Sequence, residues 1–343
     1  MERFTALRIH EHGAGLEELT LDDLTPGEVT IRVHWSGINY KDALAGTGKG
    51  RILRRFPLVG GVDLAGVVVH SEDPGIRTGE RVLVTGCGLS ETRDGGYAGY
   101  ARVPAEAVVP LPAPLSLRDA MTIGTAGFAA ALAITHLEHK GLVPGAGPVA
   151  VTGAGGGVGL LAIDMLAQRG YQVVALTRTA ASSELLHGVG AQAVETLPTV
   201  EAKAADAPAA IDASVLTGRP LEPERWAGAI DNVGGALLAR LLSSTRMHGS
   251  VAAVGLAGGA ELTVSLMPFL LRGVNLLGVN SAATPRAQRL AIWRRIATDL
   301  LPRHLDRIAT RTVTPGELPQ AFESLIAGRN AGRTLVRIND DGE

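Results

Sequence analysis

A single cysteine, Cys87, stands in 343 residues. It excludes a disulfide within the chain and any zinc site built on several thiolates. Aromatic residues are scarce, at 3%. A core must therefore be made from Ala, Val, Leu and Ile, and a hydrophobic fraction of 46% is ample for it. No sign of charge dominates either. A net charge of −2 gives no electrostatic case for nucleic acid or for an anionic membrane surface. Long apolar runs are missing too. The uncharged stretch Ala120 to Thr135 is rich in Gly, Thr and Ala. It is shorter than the roughly 20 apolar residues a membrane span needs, and reads as a buried helix. The opening MERFTALRIHEHG is charged and carries no apolar h-region, so a secretory signal is not expected. The expected compartment is the reducing cytoplasm.

What is abundant is glycine, 44 residues of it, which suggests tight turns and close backbone approaches. The first third reads as short β-branched strands bounded by Gly, Pro and Asp: EVTIRVHWSG, PLVGGVDLAGVVVHS and GERVLVTG. The pattern changes near Ser116. SLRDAMTIGTAGFAAALAITHLEHKG reads as one helix with Ser116 as N-cap and Gly141 just past its end. Strands then alternate with helices: GPVAVTG, YQVVALT, WAGAIDNV, GSVAAVG and VNLLGVN are the strands. That alternation argues for a parallel, doubly wound sheet. The stretch Thr199–Pro223, rich in Ala, Pro and acid, reads as a surface excursion. The last segment reads as helix, strand, helix, strand.

The segment GPVAVTGAGGGVGLLAIDMLAQRG carries the most information. A strand runs into a glycine cluster that opens a helix, and Ala154, Gly156 and Gly159 fit A-x-G-x-x-G. Small residues allow the tight turn and the approach of a pyrophosphate to the helix N-terminus. The loop Ala154, Gly155, Gly156, Gly157 and Val158 is therefore the expected phosphate cradle; a tight strand–helix turn without a ligand is the plainer alternative. The end of the next strand selects the dinucleotide. NAD sites place an acid there for the ribose 2′-hydroxyl. This chain has Thr177, Arg178 and Thr179. An Arg fork suits a 2′-phosphate, so NADPH is the better reading, against a solvated Arg on a loop.

No metal is expected. Cys87 is alone, His10 and His12 read as surface residues, and His136 and His139 flank Glu138 as polar groups at a helix end. Hydride transfer without a Lewis acid favours an activated C=C bond or a quinone over an alcohol.

One stretch remains unexplained, GINYKDAL. Asn39, Tyr40, Lys41 and Asp42 are four polar residues of four chemistries between two apolar runs. They form either a turn or part of a reacting surface.

Together with GVDLAGVV, RTGERV, GTAGFAA, VTGAGGGVG, WAGAIDNVGG, VAAVGLAGG, MPFLLRGVNLLGVNS and GRTLV, that stretch resembles the medium-chain dehydrogenase/reductase superfamily along nearly the whole chain. The likeness is to its zinc-independent quinone-reductase and enoyl-reductase branch, and within it most to the acryloyl-CoA reductases. The resemblance implies an α/β protein with a GroES-like β-rich catalytic domain (1–118), a Rossmann NADPH-binding domain (119–282) and a return to the catalytic domain (283–343). It implies a homodimer joined through edge strands such as Val274 to Asn280. The implied reaction sends hydride from NADPH to the β-carbon of a short 2-enoyl thioester and a proton to the α-carbon.

By the same resemblance, Asn39, Tyr40, Lys41 and Asp42 line the reaction site. Tyr40 is a candidate donor to the cofactor or to the enolate. Lys41 and Asp42 either pair to fix the loop or relay a proton. Thr125, Asn232 after Asp231, Gly255, Leu256 and Asn330 are implied cofactor contacts. The chain departs from its relatives at Thr85 to Gly96, TGCGLSETRDGG, where the acryloyl-CoA reductases resemble TGWGVGENHWGG. Cys87, Arg93 and Asp94 replace aromatic or His residues there, which suggests a changed acyl group. Arg93 could meet a carboxylate or a pantetheine phosphate, and Cys87 is either a reactive thiol or a packing residue. Three other functions stay open: a trans-acting enoyl reductase on a carrier-protein-bound chain, a quinone or enone reductase, and an NADPH-binding protein with little turnover.

Overall fold

A computed structural model of the chain describes residues 3–200, 210–211 and 218–340. Much of the Thr199–Pro223 stretch, residues 201–209 and 212–217, lies outside the described residues. The chain divides into two compact units. The first holds Met1–Thr125, Ser281–Ala297 and Ala309–Glu343, and the second Ala126–Asn280 and Thr298–Ile308.

The first unit is built on a seven-stranded sheet. Its strands lie in the order Ala309–Val313, Arg333–Arg337, Val29–Gly37, Asp63–Ser71, Arg81–Thr85 and Val109–Pro110, with Tyr100–Val103 also paired to Val29–Gly37. The central strand reads VTIRVHWSG and is buried along almost its whole length. Val29, Ile31 and Val33 pack with Leu64, Val68, Val82 and Val84 in one core cluster. The returning strand Arg333–Arg337 runs antiparallel to Val29–Gly37, with Leu335 opposite Gly37. A three-stranded sheet of Gly13–Leu19, Phe4–His10 and Leu58–Val59 completes the β-rich unit.

The second unit has one six-stranded parallel sheet. Numbered along the chain, its strands lie third, second, first, fourth, fifth, sixth: Ala193–Thr196, Gln172–Thr177, Pro148–Thr152, Trp226–Asp231, Thr245–Ala253 and Asn275–Gly278. This is the doubly wound order that reverses between its first and fourth strands. The half-buried strand Ala193–Thr196 is one the sequence does not announce.

The expected single helix from Ser116 onward is broken. Its start is as read: the Asp119 N–H donates to Ser116 Oγ at 3.0 Å, and the Ser116 N–H donates to the Asp119 carboxylate at 3.1 Å. Gly124 then interrupts Leu117–His139 with φ 49° and ψ −155°. The first unit ends one residue past this break, at Thr125. The window of Leu117–His139 apolar enough for a membrane span is 89% buried within the protein. The segment Thr298–Ile308 also belongs to the second unit, where the His304 N–H donates to the buried Asp164 carboxylate at 2.9 Å.

Candidate active site

In the second unit the strand order reverses between the first and fourth strands, and Ala154–Val158, Thr177–Thr179, Asn232, Gly255 and Leu256 follow strands of this sheet, whereas Tyr40, Thr125 and Asn330 belong to the first unit. Gly153 leaves the first strand with φ +57°. Gly156 caps the helix Gly157–Gln168, and its N–H donates to Gly153 O at 3.0 Å. The first turn, with Gly157 and Val158, keeps N–H groups without intrahelical partners at the end where the helix dipole favours an anion. A Cβ on Gly159 would stand 2.6 Å from the carbonyls of Gly153 and Ala154, so only glycine lets the helix seat against the turn. Ala154 is buried, and its N–H reaches Leu176 O at 3.3 Å, which ties the loop to the end of the second strand. Thr177, Arg178 and Thr179 follow directly. Thr177 is buried and its hydroxyl is used locally by Thr179; Arg178 and Thr179 are exposed.

Across the switch point, Asn232 follows the fourth strand. Its N–H donates to Thr152 Oγ1 at 2.9 Å and its amide Nδ2 to Thr152 O at 2.7 Å. The carboxamide oxygen is buried and has no hydrogen-bond partner among the described residues. A buried acceptor without a donor is costly, so this atom fits a hydroxyl or amide brought in by a ligand. Asp231 behind it is fully buried and accepts from Thr152 Oγ1 at 2.6 Å and Gly234 N at 2.7 Å. Burial pushes its carboxyl upward, against these hydrogen bonds. Gly255 approaches Asn232 so closely that a Cβ would lie 2.4 Å from its carbonyl. Leu256 is 68% exposed beside it. An orphaned acceptor and a glycine cradle at a helix N-terminus fit a dinucleotide.

The first unit answers the question raised by GINYKDAL. Tyr40–Gly46 is a helix, and Asn39 is its N-cap in a capping box with Asp42. The Asp42 carboxylate accepts from Asn39 N at 2.8 Å and Val62 N at 2.9 Å. Burial first, and the nearby Asp63 charge after the opposing Asn39 hydrogen bond, raise its pKa to about 7. Lys41 does not pair with Asp42. Helical geometry turns consecutive side chains apart, and the Lys41 ammonium meets Glu91. Tyr40 is 49% exposed.

Asn39 is locked through its side chain. Its amide donates to Asp63 Oδ2 at 2.8 Å, and its oxygen accepts from Arg333 Nη1 at 2.9 Å. Asp63 also accepts from the Thr125 N–H at 2.9 Å and from the Thr125 hydroxyl. Arg333 is buried and spends its remaining donors on the carbonyls of Ile38, Met121 and Thr122. It stands 3.8 Å from Asp63. Gly124 must be glycine here, because a Cβ would fall 2.6 Å from Asp63 Oδ2 and 2.8 Å from Arg333 Nη2. Asp63 and Arg333 are the residues sequence reasoning left without a role. Their one signal was charge inside apolar strands, GVDLAGVV and GRTLV. Asn330 takes no part in this network; it accepts from Ser324 Oγ at 2.6 Å after the helix Leu318–Ile326.

The altered loop is held from within. Asp94 is buried and accepts from Thr25 N and Val59 N, each at 2.7 Å. Arg93 donates to Pro26 O at 2.7 Å rather than to a carboxylate. Cys87 sits at φ 53°, and burial raises its thiol pKa. Its side chain is half-buried and packs against the core cluster of Leu64, Val82, Val84 and Leu89. Among the described residues no group of three His, Cys, Asp or Glu side chains could hold a metal ion.

A parallel sheet with a glycine cradle at its switch point, joined to a β-rich unit holding a fixed polar cluster, defines a dinucleotide-binding fold of the dehydrogenase type. Two family descriptions match: the alcohol dehydrogenase GroES-like domain over residues 25–113 and the zinc-binding dehydrogenase over residues 157–297. The chain belongs to the medium-chain dehydrogenase/reductase family, in its zinc-independent branch. It is 44% identical to the acrylyl-CoA reductase AcuI of Ruegeria pomeroyi, over 95% of this chain and 94% of that protein. It is 43% identical to the putative quinone oxidoreductase YhfP of Bacillus subtilis, over 94% of each. A YhfP structure with NAD bound superposes with a TM-score of 0.90, covering 98% of this chain and 100% of that one at 41% identity. The structure of Escherichia coli K-12 YhdH with bound NADPH also gives 0.90, at 42% identity, over 97% of this chain and 100% of that one.

Proposed function

We propose that this protein uses NADPH to reduce the C=C bond of a short 2-enoyl thioester of the acryloyl-CoA type. Hydride reaches the β-carbon and a proton the α-carbon. The observation that carries the reading is 44% identity, over nearly the full length, to a protein named acrylyl-CoA reductase, beside a second strand followed by Arg178 and no acid.

When bound, NADPH supplies the hydride. Gly155, Gly157 and Val158 offer N–H groups to the pyrophosphate while Gly156 shapes the turn, and Arg178 with Thr179 answers the 2′-phosphate. The orphaned oxygen of Asn232 accepts from the nicotinamide ribose. Thr125, Gly255, Leu256 and Asn330 are further contacts on this reading. As the β-carbon gains hydride, charge grows on the thioester oxygen, and fixed donors that meet it lower the barrier. Tyr40 offers an exposed phenol for that oxygen or for the α-carbon proton. Asn39, held between Asp63 and Arg333, orients the first turn that carries Tyr40, and Asp42 caps that turn.

A second reading, quinone or enone reduction, is favoured by the likeness to YhfP. The protein acts as a homodimer on this proposal, through the exposed Leu270 and Leu271 and the edge strand Asn275–Gly278, and works in the cytoplasm. The test is NADPH oxidation by the purified protein with acryloyl-CoA, crotonyl-CoA and a simple quinone, with NADH as the cofactor control. Turnover of acryloyl-CoA with NADPH preference is expected. Turnover of the quinone alone moves the assignment to the second reading, and tight NADPH binding without turnover of any substrate overturns both.

A further inference from the structure

The segment GKGRILRRFP, Gly48 to Pro57, has no part in the network around Asn39, yet it walls an open cavity of about 380 Å³. The lining is Lys41, Arg51, Ile52, Leu53, Arg54 and Glu91. Its wall is fixed from behind. Leu53 is buried and packs with Ile9, Ala45 and Leu58. The Arg54 N–H donates to Glu91 O at 2.8 Å, which holds this loop against the Thr85–Gly96 loop. The Lys41 ammonium is paired with the Glu91 carboxylate.

That pair leaves two cations over. Arg51 and Arg54 are exposed, and among the described residues no carboxylate pairs with either. The chain as a whole carries −2, so the positive sign here is local. Two guanidinium groups beside one concavity are the standard means of holding phosphate oxygens, since each presents a planar fork of donors. Lys41 lines the cavity and directly follows Tyr40 in the same helical turn. An anion held here is thus bound on the element that carries the proposed donor. The acyl end of a short enoyl thioester is uncharged, whereas its CoA end carries phosphates.

We infer that this cavity is the phosphate subsite for the thioester substrate, in which Arg51 and Arg54 bind phosphate groups of CoA while the Lys41–Glu91 pair fixes the wall. The inference rests on the thioester-reductase reading and names the carrier that reading leaves open. The Thr85–Gly96 loop takes part through Glu91, while Arg93 of the same loop donates to Pro26 O and leaves the phosphates to Arg51 and Arg54.

The experiment compares kcat/KM for acryloyl-CoA, acryloyl-pantetheine, which has no phosphate, and an acryloyl carrier protein. It uses the wild type, Arg51→Ala, Arg54→Ala, the double variant and Arg55→Ala, an exposed arginine of the same segment outside the lining. The wild type is expected to prefer CoA to pantetheine. Each cavity substitution should lower kcat/KM for acryloyl-CoA roughly tenfold, through KM. The double variant should lose the preference and Arg55→Ala should keep it. Raised ionic strength should raise the wild-type KM for acryloyl-CoA. A CoA preference that survives in the double variant overturns the inference. Equal wild-type use of the CoA and pantetheine thioesters overturns it while leaving thioester reduction standing. Preference for the carrier protein over CoA overturns CoA as the phosphate source. Failure to reduce any thioester overturns the function together with this subsite.

Discussion

Asn39 donates its side-chain amide to Asp63 at 2.8 Å across 24 residues of sequence. The cap of a short helix is thereby fixed by a carboxylate in the neighbouring strand, and that carboxylate is shared with Thr125 and Arg333. Removing it strands a buried guanidinium. Asp63→Ala is expected to cost about 3–5 kcal/mol, read as a lower urea midpoint for the transition of the first unit. Asp63→Asn, which keeps the shape, should fold more stably than Asp63→Ala and still lose turnover number more than substrate affinity.

Asp42 supplies a pH dependence. Its carboxyl titrates near 7 when folded and at about 3.9 when unfolded. Between those values the folded state binds the extra proton. The contribution of this group is therefore complete below about pH 4 and is lost as the pH rises through 7, at no more than about 1.4 kcal/mol per pH unit. Asp42→Asn should flatten that slope. Urea midpoints at pH 5 and pH 8 for both proteins check it; an unchanged slope in the variant counts against the assignment.

Arg178 should decide between cofactors. Arg178→Ala is expected to weaken NADPH roughly tenfold, the scale of one charge-assisted contact, and to leave NADH nearly unaffected. The ratio of kcat/KM for the two cofactors is the readout. Equal losses for both would assign the arginine to the fold and not to the 2′-phosphate.

Leu270 is 77% exposed and Leu271 59% exposed, next to a strand at the edge of the sheet among the described residues. On the homodimer proposal this face is where the two copies meet. Leu270→Asp should turn a dimer into a monomer in sedimentation velocity with little change in monomer stability. A wild type that already sediments as a monomer would end the homodimer proposal.

Much of the second unit was legible because its signals are local. Apolar strands, a glycine cluster and helical periodicity lie in consecutive residues, and the missing acid at Thr177–Thr179 could be read by position. What escaped depends on distance or on half-buried pattern. AQAVET carries too many polar residues to read as a strand, yet pairs as the sheet edge beside Gln172–Thr177. The helical pattern runs through Gly124 without a break; the pressure of Asp63 and Arg333 on its missing side chain comes from residues remote in sequence. Lys41 and Asp42 were weighed as a pair because they are neighbours, but Glu91, 50 residues away, takes the lysine. Asp63 and Arg333 lie within strand segments, and nothing in a strand pattern says that a buried charge is aimed at a helix cap.

The network around Arg333 also sets an order of events. Arg333 donates to the carbonyl of Ile38, 295 residues earlier, and its strand pairs with Val29–Gly37. On a ribosome, the central strand of the first unit and the loop with Asn39 emerge early and wait for this partner. Most of the second unit is made in between and can fold during synthesis. The polar cluster cannot be completed before Arg333 is made, so a protein interrupted ahead of it carries the glycine loop of the second unit without the guanidinium that holds the Asn39 oxygen.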